Sequence, residues 1–370
     1  MELKGLNIMI VSSEGWGDMW YSKHNYAYEL ARHNEVLFVG PTDRWKPAFL
    51  KGCNISVVPA LDRLRLLRYN NVLPAITQLS YRWNNAIVSQ AIRKQLDQLQ
   101  WPVDLFISFD PSRLHQPQDL GAKASLFIAV DKYNYTQLGE RYLFGNVDGI
   151  VTISSSFNAF YKPFNKPILT IGHGISTEEF QAPELQAPYR DFGLYVGGID
   201  HRMDLELVER MVQAHPEVPF IFIGAFKFAG NSRAEDLFLH RRYANLHYLG
   251  VKPFKELKTW IAASRFCLAP MDISLSGNEI SHHKILQYLA LGKPVFSTIF
   301  TEYLPVAHLF HMRNDHADLM ALFGAFLSGY EPESLVQQRI AWARKHTYGN
   351  ILAEIGDFLG ERAVQLTPAR

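Results

Sequence analysis

Short, almost uniformly apolar runs separated by amphipathic helical stretches constrain this chain more than any other feature. In the first half they occupy residues 6–11, 35–39, 55–58, 104–108, 125–130, 149–153 and 168–171, rich in Val, Ile and Phe and bounded by Gly, Pro, Asp or Ser. A strand that is apolar on both faces must be covered on both, which is the condition of a parallel sheet flanked by helices. Helical spacing of apolar residues falls between the runs, as over 23–32 and 87–98. The alternation predicts a doubly wound α/β domain.

The pattern then stops and restarts. Residues 176–188 are polar and carry Pro183 and Pro188, which reads as a linker. Strand-like runs return at 192–196, 220–223, 246–249, 266–269 and 295–297, with helices predicted over 203–214, 255–263 and 284–291. Terminal helices are expected over 333–345 and 350–364. A length of 370 residues accommodates two such domains.

Composition excludes several classes. With 48 % hydrophobic and 20 % charged residues the chain builds packed cores and is not disordered. Lys and Arg total 37 against 36 Asp and Glu, so it lacks the basic balance of a nucleic-acid binder. Cys53 and Cys267 cannot make a disulfide framework and suit a reducing compartment. The first residues lead straight into an apolar run without a cleavage site for a signal peptide, and no apolar stretch approaches the ~18 residues of a membrane span. A cytoplasmic protein, soluble or peripherally attached, is expected. Residues 44–94 nonetheless hold nine cations, among them Arg63, Arg65 and Arg68, against one acid, Asp62. Aromatics are interleaved with them, which suits anionic lipid headgroups, or else is a solvated face over core aromatics.

Several positions carry candidate chemistry. Ser281 opens and Gly292 closes a predicted helix, with Lys284 in its first turn and Gln287 one turn on. A first-turn lysine opposes the helix dipole, so its presence suggests an anionic partner; the alternative is an ordinary amphipathic helix with solvated polar residues. Gly197 and Gly198 after a strand let backbone approach a phosphate, or simply make a tight turn. Arg202 lies near enough in sequence to add charge. His173 stands between two glycines, and His282 and His283 flank the helix start. Asp131 follows a buried strand, where ligands of α/β sheets bind, and suits a general base; a turn or cap role is the alternative. Asp110 is in the same situation. Trp16 and Trp20 sit on a glycine loop after the first strand, which suits sugar stacking or membrane insertion, or a structural loop. No metal site is expected, because His308, His311 and His316 lack a partner set.

The run Lys-Ile-Leu-Gln-Tyr-Leu-Ala-Leu-Gly-Lys-Pro-Val at 284–295 resembles the donor-domain signature of GT-B glycosyltransferases. Ile-Gly-His-Gly-Ile at 171–175, Tyr-Val-Gly-Gly-Ile at 195–199, Asn-Leu-His-Tyr-Leu-Gly at 245–250 and Leu-Ala-Pro at 268–270 follow in that family's order. The resemblance implies two Rossmann-like domains facing across a cleft: an acceptor domain over 1–175, a linker over 176–191, a nucleotide-sugar domain over 192–345, and a helix in 346–370 crossing back to the first domain. Retaining members place two glutamates with seven residues between them. Here Glu279 has that spacing to Gln287, so the second is glutamine. This form, with Gly-His-Gly, is similar to the membrane-associated inverting glucuronosyltransferases of the xanthan type. That likeness implies Lys284 at the diphosphate, Gln287 at the ribose and Asp131 as base. From the residues themselves, Glu279, Ser281, His283, Gly197, Gly198 and Arg202 are further expected about the donor. His173 is expected to line the cleft or to pack at the domain junction, and Trp16, Trp20, Arg63, Arg65 and Arg68 are expected at the acceptor or membrane. The donor is expected to be a UDP-sugar, with UDP-glucuronic acid as one case. The acceptor is expected to be a glycan or polyprenyl-diphosphate-linked, at the inner face of the plasma membrane, with no cofactor. A retaining transferase, a UDP-sugar epimerase and a non-enzymatic two-lobed binding protein are the alternatives.

Overall fold

The computed structural model describes residues 3–17, 20–43, 53–73, 76, 80–131, 139–183, 188–276, 283–329 and 331–360. The chain divides into two units, one running to Gly172 and resumed from Tyr348, the other spanning His173–Thr347. The stretch expected as a linker therefore has a different boundary. Thr177–Phe180 folds as a 3-10 turn behind the Ser176 cap, and Phe180 packs into the second unit's core.

The first unit carries β1 (Asn7–Val11), β2 (Glu35–Val39), β3 (Ile55–Leu61), β4 (Leu64–Tyr69), β5 (Leu105–Ser108), β6 (Ala124–Ala129), β7 (Gly149–Thr152) and β8 (Ile168–Thr170). They form one sheet in the order β3-β4-β2-β1-β5-β6-β7-β8. Helices α1 (Ser22–Ala31), α2 (Tyr81–Gln98), α3 (Glu140–Asn146) and α4 (Asn158–Tyr161) connect them. Every residue of β1, β5, β6 and β7 is buried, as the uniformly apolar runs require. Successive side chains of β1 serve opposite faces: Ile8 and Ile10 pack with Tyr26 and Leu30, whereas Met9 and Val11 pack with Val88 and Ile92.

One edge departs from the expected parallel order. β4 pairs parallel with β2 but antiparallel with β3. The sequence reading missed β4 because Arg65 and Arg68 interrupt its apolar run. In the structure both arginines are exposed, while Leu64 is buried on one face of the sheet and Leu67 and Tyr69 on the other. β4 lies next to the edge strand β3, away from the fully buried centre of the sheet.

The second unit repeats the scheme with β9 (Gly193–Val196), β10 (Phe220–Ile223), β11 (Leu246–Tyr248), β12 (Phe266–Ala269), β13 (Val295–Ser297) and β14 (His311–Met312). Its sheet is parallel throughout, in the order β11-β10-β9-β12-β13-β14. The helices are α5 (Leu205–Ala214), α6 (Ser232–Phe238), α7 (Phe254–Ala263), α8 (Ile273–Ser276), α9 (His283–Ala290), α10 (His316–Ser328) and α11 (Glu333–Arg344). The last helix, α12 (Tyr348–Gly360), belongs to the first unit's core, where Tyr348, Ile355 and Phe358 join Ile8 and Tyr26. Phe358 lies so close to Gly149 that a Cβ there would approach its ring to 2.6 Å. Among the described residues no helix is long and apolar enough to cross a membrane.

Candidate functional site

The site builds from the carboxyl end of β9. Tyr195 is fully buried on the face packed by Val208 and Met211, and its hydroxyl donates to the Gly198 carbonyl at 2.7 Å. The chain then turns through Gly197, whose φ is +145°. Only glycine fits the neighbouring turn too, because a Cβ on Gly224 would stand 1.8 Å from the Gly197 carbonyl oxygen. On α9, Tyr288 anchors the helix to the same strand, its hydroxyl accepting from the Val196 N–H at 2.8 Å.

That anchoring brings Lys284, one turn earlier, over the glycine turn. Its Nζ donates to the Tyr195 hydroxyl at 2.9 Å and lies 4.0 Å from the ring centroid. A Cβ on Gly197 would stand 3.0 Å from that Nζ. Burial pushes the Lys284 ammonium down to about 7, with Arg202 adding repulsion and Asp200 opposing it. Arg202 itself is clamped to Asp200 by Nε to Oδ1 at 2.9 Å and Nη2 to Oδ2 at 2.7 Å. Burial alone would raise the Asp200 carboxyl; the Arg202 contacts outweigh it and hold it below the usual range. The arrangement is a desolvated, ill-neutralised ammonium on open backbone, which an anion would stabilise.

His283 precedes it. Its Nε2 donates to the Gly174 carbonyl at 3.1 Å, and the buried His173 ring stands edge-on at 5.9 Å. Burial, reinforced by His173, pushes His283 down to about 4, so the ring is neutral at physiological pH. Gln287 is buried one turn beyond Lys284, and its Nε2 donates to Glu179 Oε2 at 3.1 Å. Gly198 joins this cluster through its carbonyl. Glu279 and Ser281, expected beside it, lie outside the described residues, as does His282.

In the first unit Asp131 is exposed, two positions beyond the end of β6. Asp110, its rival by sequence, is buried and fully engaged. Oδ1 accepts from the Ser112 N–H at 2.9 Å and its hydroxyl at 2.5 Å, and Oδ2 accepts from Arg113 Nε at 2.7 Å. Burial would raise this carboxyl, but Arg113 and Ser112 together hold it low. The same guanidinium donates to the Ser12 and Gly40 carbonyls and to the Tyr69 hydroxyl. Arg113 borders cavities of about 420 and 270 Å³, the larger also lined by Tyr81, Asn84, Asn85 and His115.

The remaining expected residues sit apart from these clusters. Trp16 is half-buried and packs on Phe38 at 5.2 Å and Trp20 at 5.3 Å, so much of its face is already covered. Trp20 Nε1 donates to the Gly17 carbonyl at 3.0 Å, and its ring lies 5.3 Å from that of Tyr28. Arg63, Arg65 and Arg68 are exposed on and beside β4, and Arg65 reaches Glu35 at 3.7 Å. Sequence reasoning missed Tyr195, Glu179 and Asp200. Tyr195 was legible only as a strand residue, and Glu179 was assigned to the linker.

No family model matches the chain, and no curated protein matches it in sequence. Solved structures do. The catalytic domain of starch synthase IV from Arabidopsis thaliana, bound to ADP and acarbose, superimposes with a TM-score of 0.66 at 12 % identity over 98 % of this chain and 100 % of that one. The HepE protein of Anabaena, in complex with UDP and glucose, gives 0.66 at 12 % identity over 96 % and 99 %. An α,α-trehalose-phosphate synthase (UDP-forming) from Burkholderia vietnamiensis gives 0.64 at 13 % identity over 98 % and 97 %. The chain thus has the GT-B fold of these proteins, with two Rossmann-like units built on parallel sheets.

Proposed function

We propose that this chain is an inverting, metal-independent glycosyltransferase that moves a sugar from a UDP-sugar to a glycan or polyprenyl-diphosphate-linked acceptor. The observation that carries the reading is the Lys284 ammonium, desolvated and held on Tyr195 beside the Gly197 turn. A diphosphate supplies the negative charge that this group lacks. The fold shared with proteins solved with ADP or with UDP and glucose supports a nucleotide-linked donor.

In this reading the acceptor hydroxyl attacks the anomeric carbon opposite the diphosphate. Its proton passes to the Asp131 carboxylate, and the bond from the anomeric carbon to the diphosphate oxygen breaks. The charge gathering on the departing UDP is met by Lys284, acting where it is already oriented and dehydrated. UDP-glucuronic acid is one such donor. The exposed Arg63, Arg65 and Arg68 would hold the protein to acidic lipid where a lipid-linked acceptor resides.

The test is transfer from UDP-sugars to lipid-linked or free glycan acceptors, with the product anomer read by proton NMR. Inversion is expected, and a retained anomer overturns the role of Asp131. Binding without turnover favours a sugar-binding protein, and conversion of donor without acceptor favours an epimerase. Failure to co-sediment with acidic vesicles at low salt removes the membrane contact.

A further inference from the structure

The first unit holds a cavity of about 420 Å³ between the end of β4, the first turns of α2 and residues 112–115, and the reaction above gives it no task. Small-molecule sites run from about 300 to 1,000 Å³, so one sugar fits. Its polar wall is built from amides whose direction is set by backbone. Asn84 Oδ1 accepts from the Val72 N–H at 3.0 Å, and its Nδ2 donates to Asn71 Oδ1 at 3.0 Å. Asn71 Nδ2 is thereby turned the other way and reaches Thr42 Oγ1 only at 3.5 Å. Asn85 Oδ1 accepts from the His115 N–H at 3.1 Å. Its Nδ2 has no acceptor among the described residues, although the residue is only 7 % exposed. A flipped amide at either place would set donor against donor. Tyr69, 2 % exposed, accepts from Arg113 Nη1 at 3.1 Å, and its own proton has no acceptor among the described residues. The unspent groups are donors, and a buried donor left unmet is costly.

The wall carries no net charge. Arg113 is the one cation among the described residues that line it, and Asp110 pairs with it at 2.7 Å. Burial lowers His115, so its ring is neutral at physiological pH, and raises the Tyr81 hydroxyl to about 12. Ile76, Val88 and Leu114 supply an apolar part of the lining. Uncharged donors beside hydrocarbon match a neutral carbonyl next to a methyl group. A carboxylate would surrender its hydration for no opposite charge, and a hydroxyl would bring a proton needing an acceptor of its own.

We propose that this cavity binds an N-acetylated hexosamine. The acetamido oxygen accepts from Asn85 Nδ2, the acetyl methyl group rests on the apolar lining, and Asn71 Nδ2 and the Tyr69 hydroxyl donate to hydroxyl oxygens of the same sugar. The inference rests on the glycosyltransferase reading above only in taking this sugar as part of the acceptor, and adds which class of sugar that acceptor carries.

The experiment is saturation-transfer NMR on the full chain with the methyl glycosides of N-acetylglucosamine, N-acetylgalactosamine, glucose and glucuronic acid. The acetyl protons should receive the strongest saturation, and an acetamido glycoside should bind at least about tenfold more tightly than the glucoside and the glucuronide. Asn85→Asp keeps an acceptor for the His115 N–H and removes the donor. It should abolish the acetamido preference and turn it toward the methyl glycoside of glucosamine, whose ammonium then meets a carboxylate. A merely structural role does not produce that reversal, and the wild-type comparison stands even if the variant folds poorly. Equal binding of all the glycosides, preference for the glucuronide, binding of none, or an Asn85→Asp protein that keeps the acetamido preference overturns the inference. Titration of the same sample with UDP separates the two readings. A chain that binds UDP and is indifferent to acetamido sugars loses only this inference, whereas one that prefers them and transfers no sugar loses only the transferase reading.

Discussion

The Lys284 ammonium rests 4.0 Å above the centroid of the Tyr195 ring while donating to that ring's hydroxyl. One aromatic side chain therefore offers the cation both a π face and a lone pair, and neither carries a formal charge. The cation is held in place without being neutralised, which suits a site that receives and releases an anion repeatedly.

Proton uptake on nucleotide binding follows. Burial pushes Lys284 down to about 7, whereas a solvated lysine holds its proton to about 10.5. A bound diphosphate favours the charged form, so binding takes up a proton between those limits and none below them. Titration of UDP at about pH 8.5 in buffers of different ionisation enthalpy should register uptake approaching one proton, and at about pH 6 close to none. Affinity should fall up to about tenfold per pH unit above 7. Uptake that persists in Lys284→Met would assign the proton to another group.

The same burial makes a stability prediction of fixed sign. Between about 7 and 10.5 the unfolded chain keeps a proton on this lysine that the folded chain sheds, so the residue's contribution to stability rises with pH across that window. Lys284→Met removes the burden at all pH values. The variant should melt above wild type at about pH 6, and the gap should narrow toward pH 10. A gap that widens with pH would contradict the sign.

Asp131 and Asp110 should respond differently to the same substitution. Asp131→Asn leaves the fold and UDP affinity intact and lowers turnover by roughly 10²- to 10⁴-fold, the span of general-base catalysis. Asp110→Asn breaks a buried pair with Arg113 and should cost about 3 to 5 kcal/mol in urea unfolding. Near wild-type transfer by Asp131→Asn would remove it as the base.

Gly149→Ala should destabilise the first unit by about 1 to 3 kcal/mol, because the added methyl meets the Phe358 ring at 2.6 Å. Adding Phe358→Leu should recover part of the loss. Urea melts of the single and double variants measure the coupling.

Much of the architecture was legible because it is local. Buried central strands such as β6 and β10 are apolar at every position, so no other assignment suited them. β4 was hidden because its two exposed arginines, Arg65 and Arg68, interrupt the apolar run of a strand that lies beside the edge strand β3. Lys284 and Gln287 stood out through the pattern of their own helix. Their partners did not, since Tyr195 is 89 and Glu179 is 108 positions away, and no local periodicity encodes such pairings. Asp131 and Asp110 look alike as residues following strands. What separates them is Arg113, an i,i+3 cation after Asp110 whose significance emerges only once its guanidinium is seen to tie four groups together.

The return of α12 to the first unit has a consequence for biosynthesis. The second unit is one uninterrupted stretch, His173–Thr347, and has all its parts once the ribosome has passed them. The first unit has to wait for Ile355 and Phe358 before its core is closed, although its own strands emerge first. Maturation on the ribosome therefore runs against the order of translation, and a nascent chain halted near residue 347 would display an unfinished amino-terminal sheet to chaperones beside a finished neighbour.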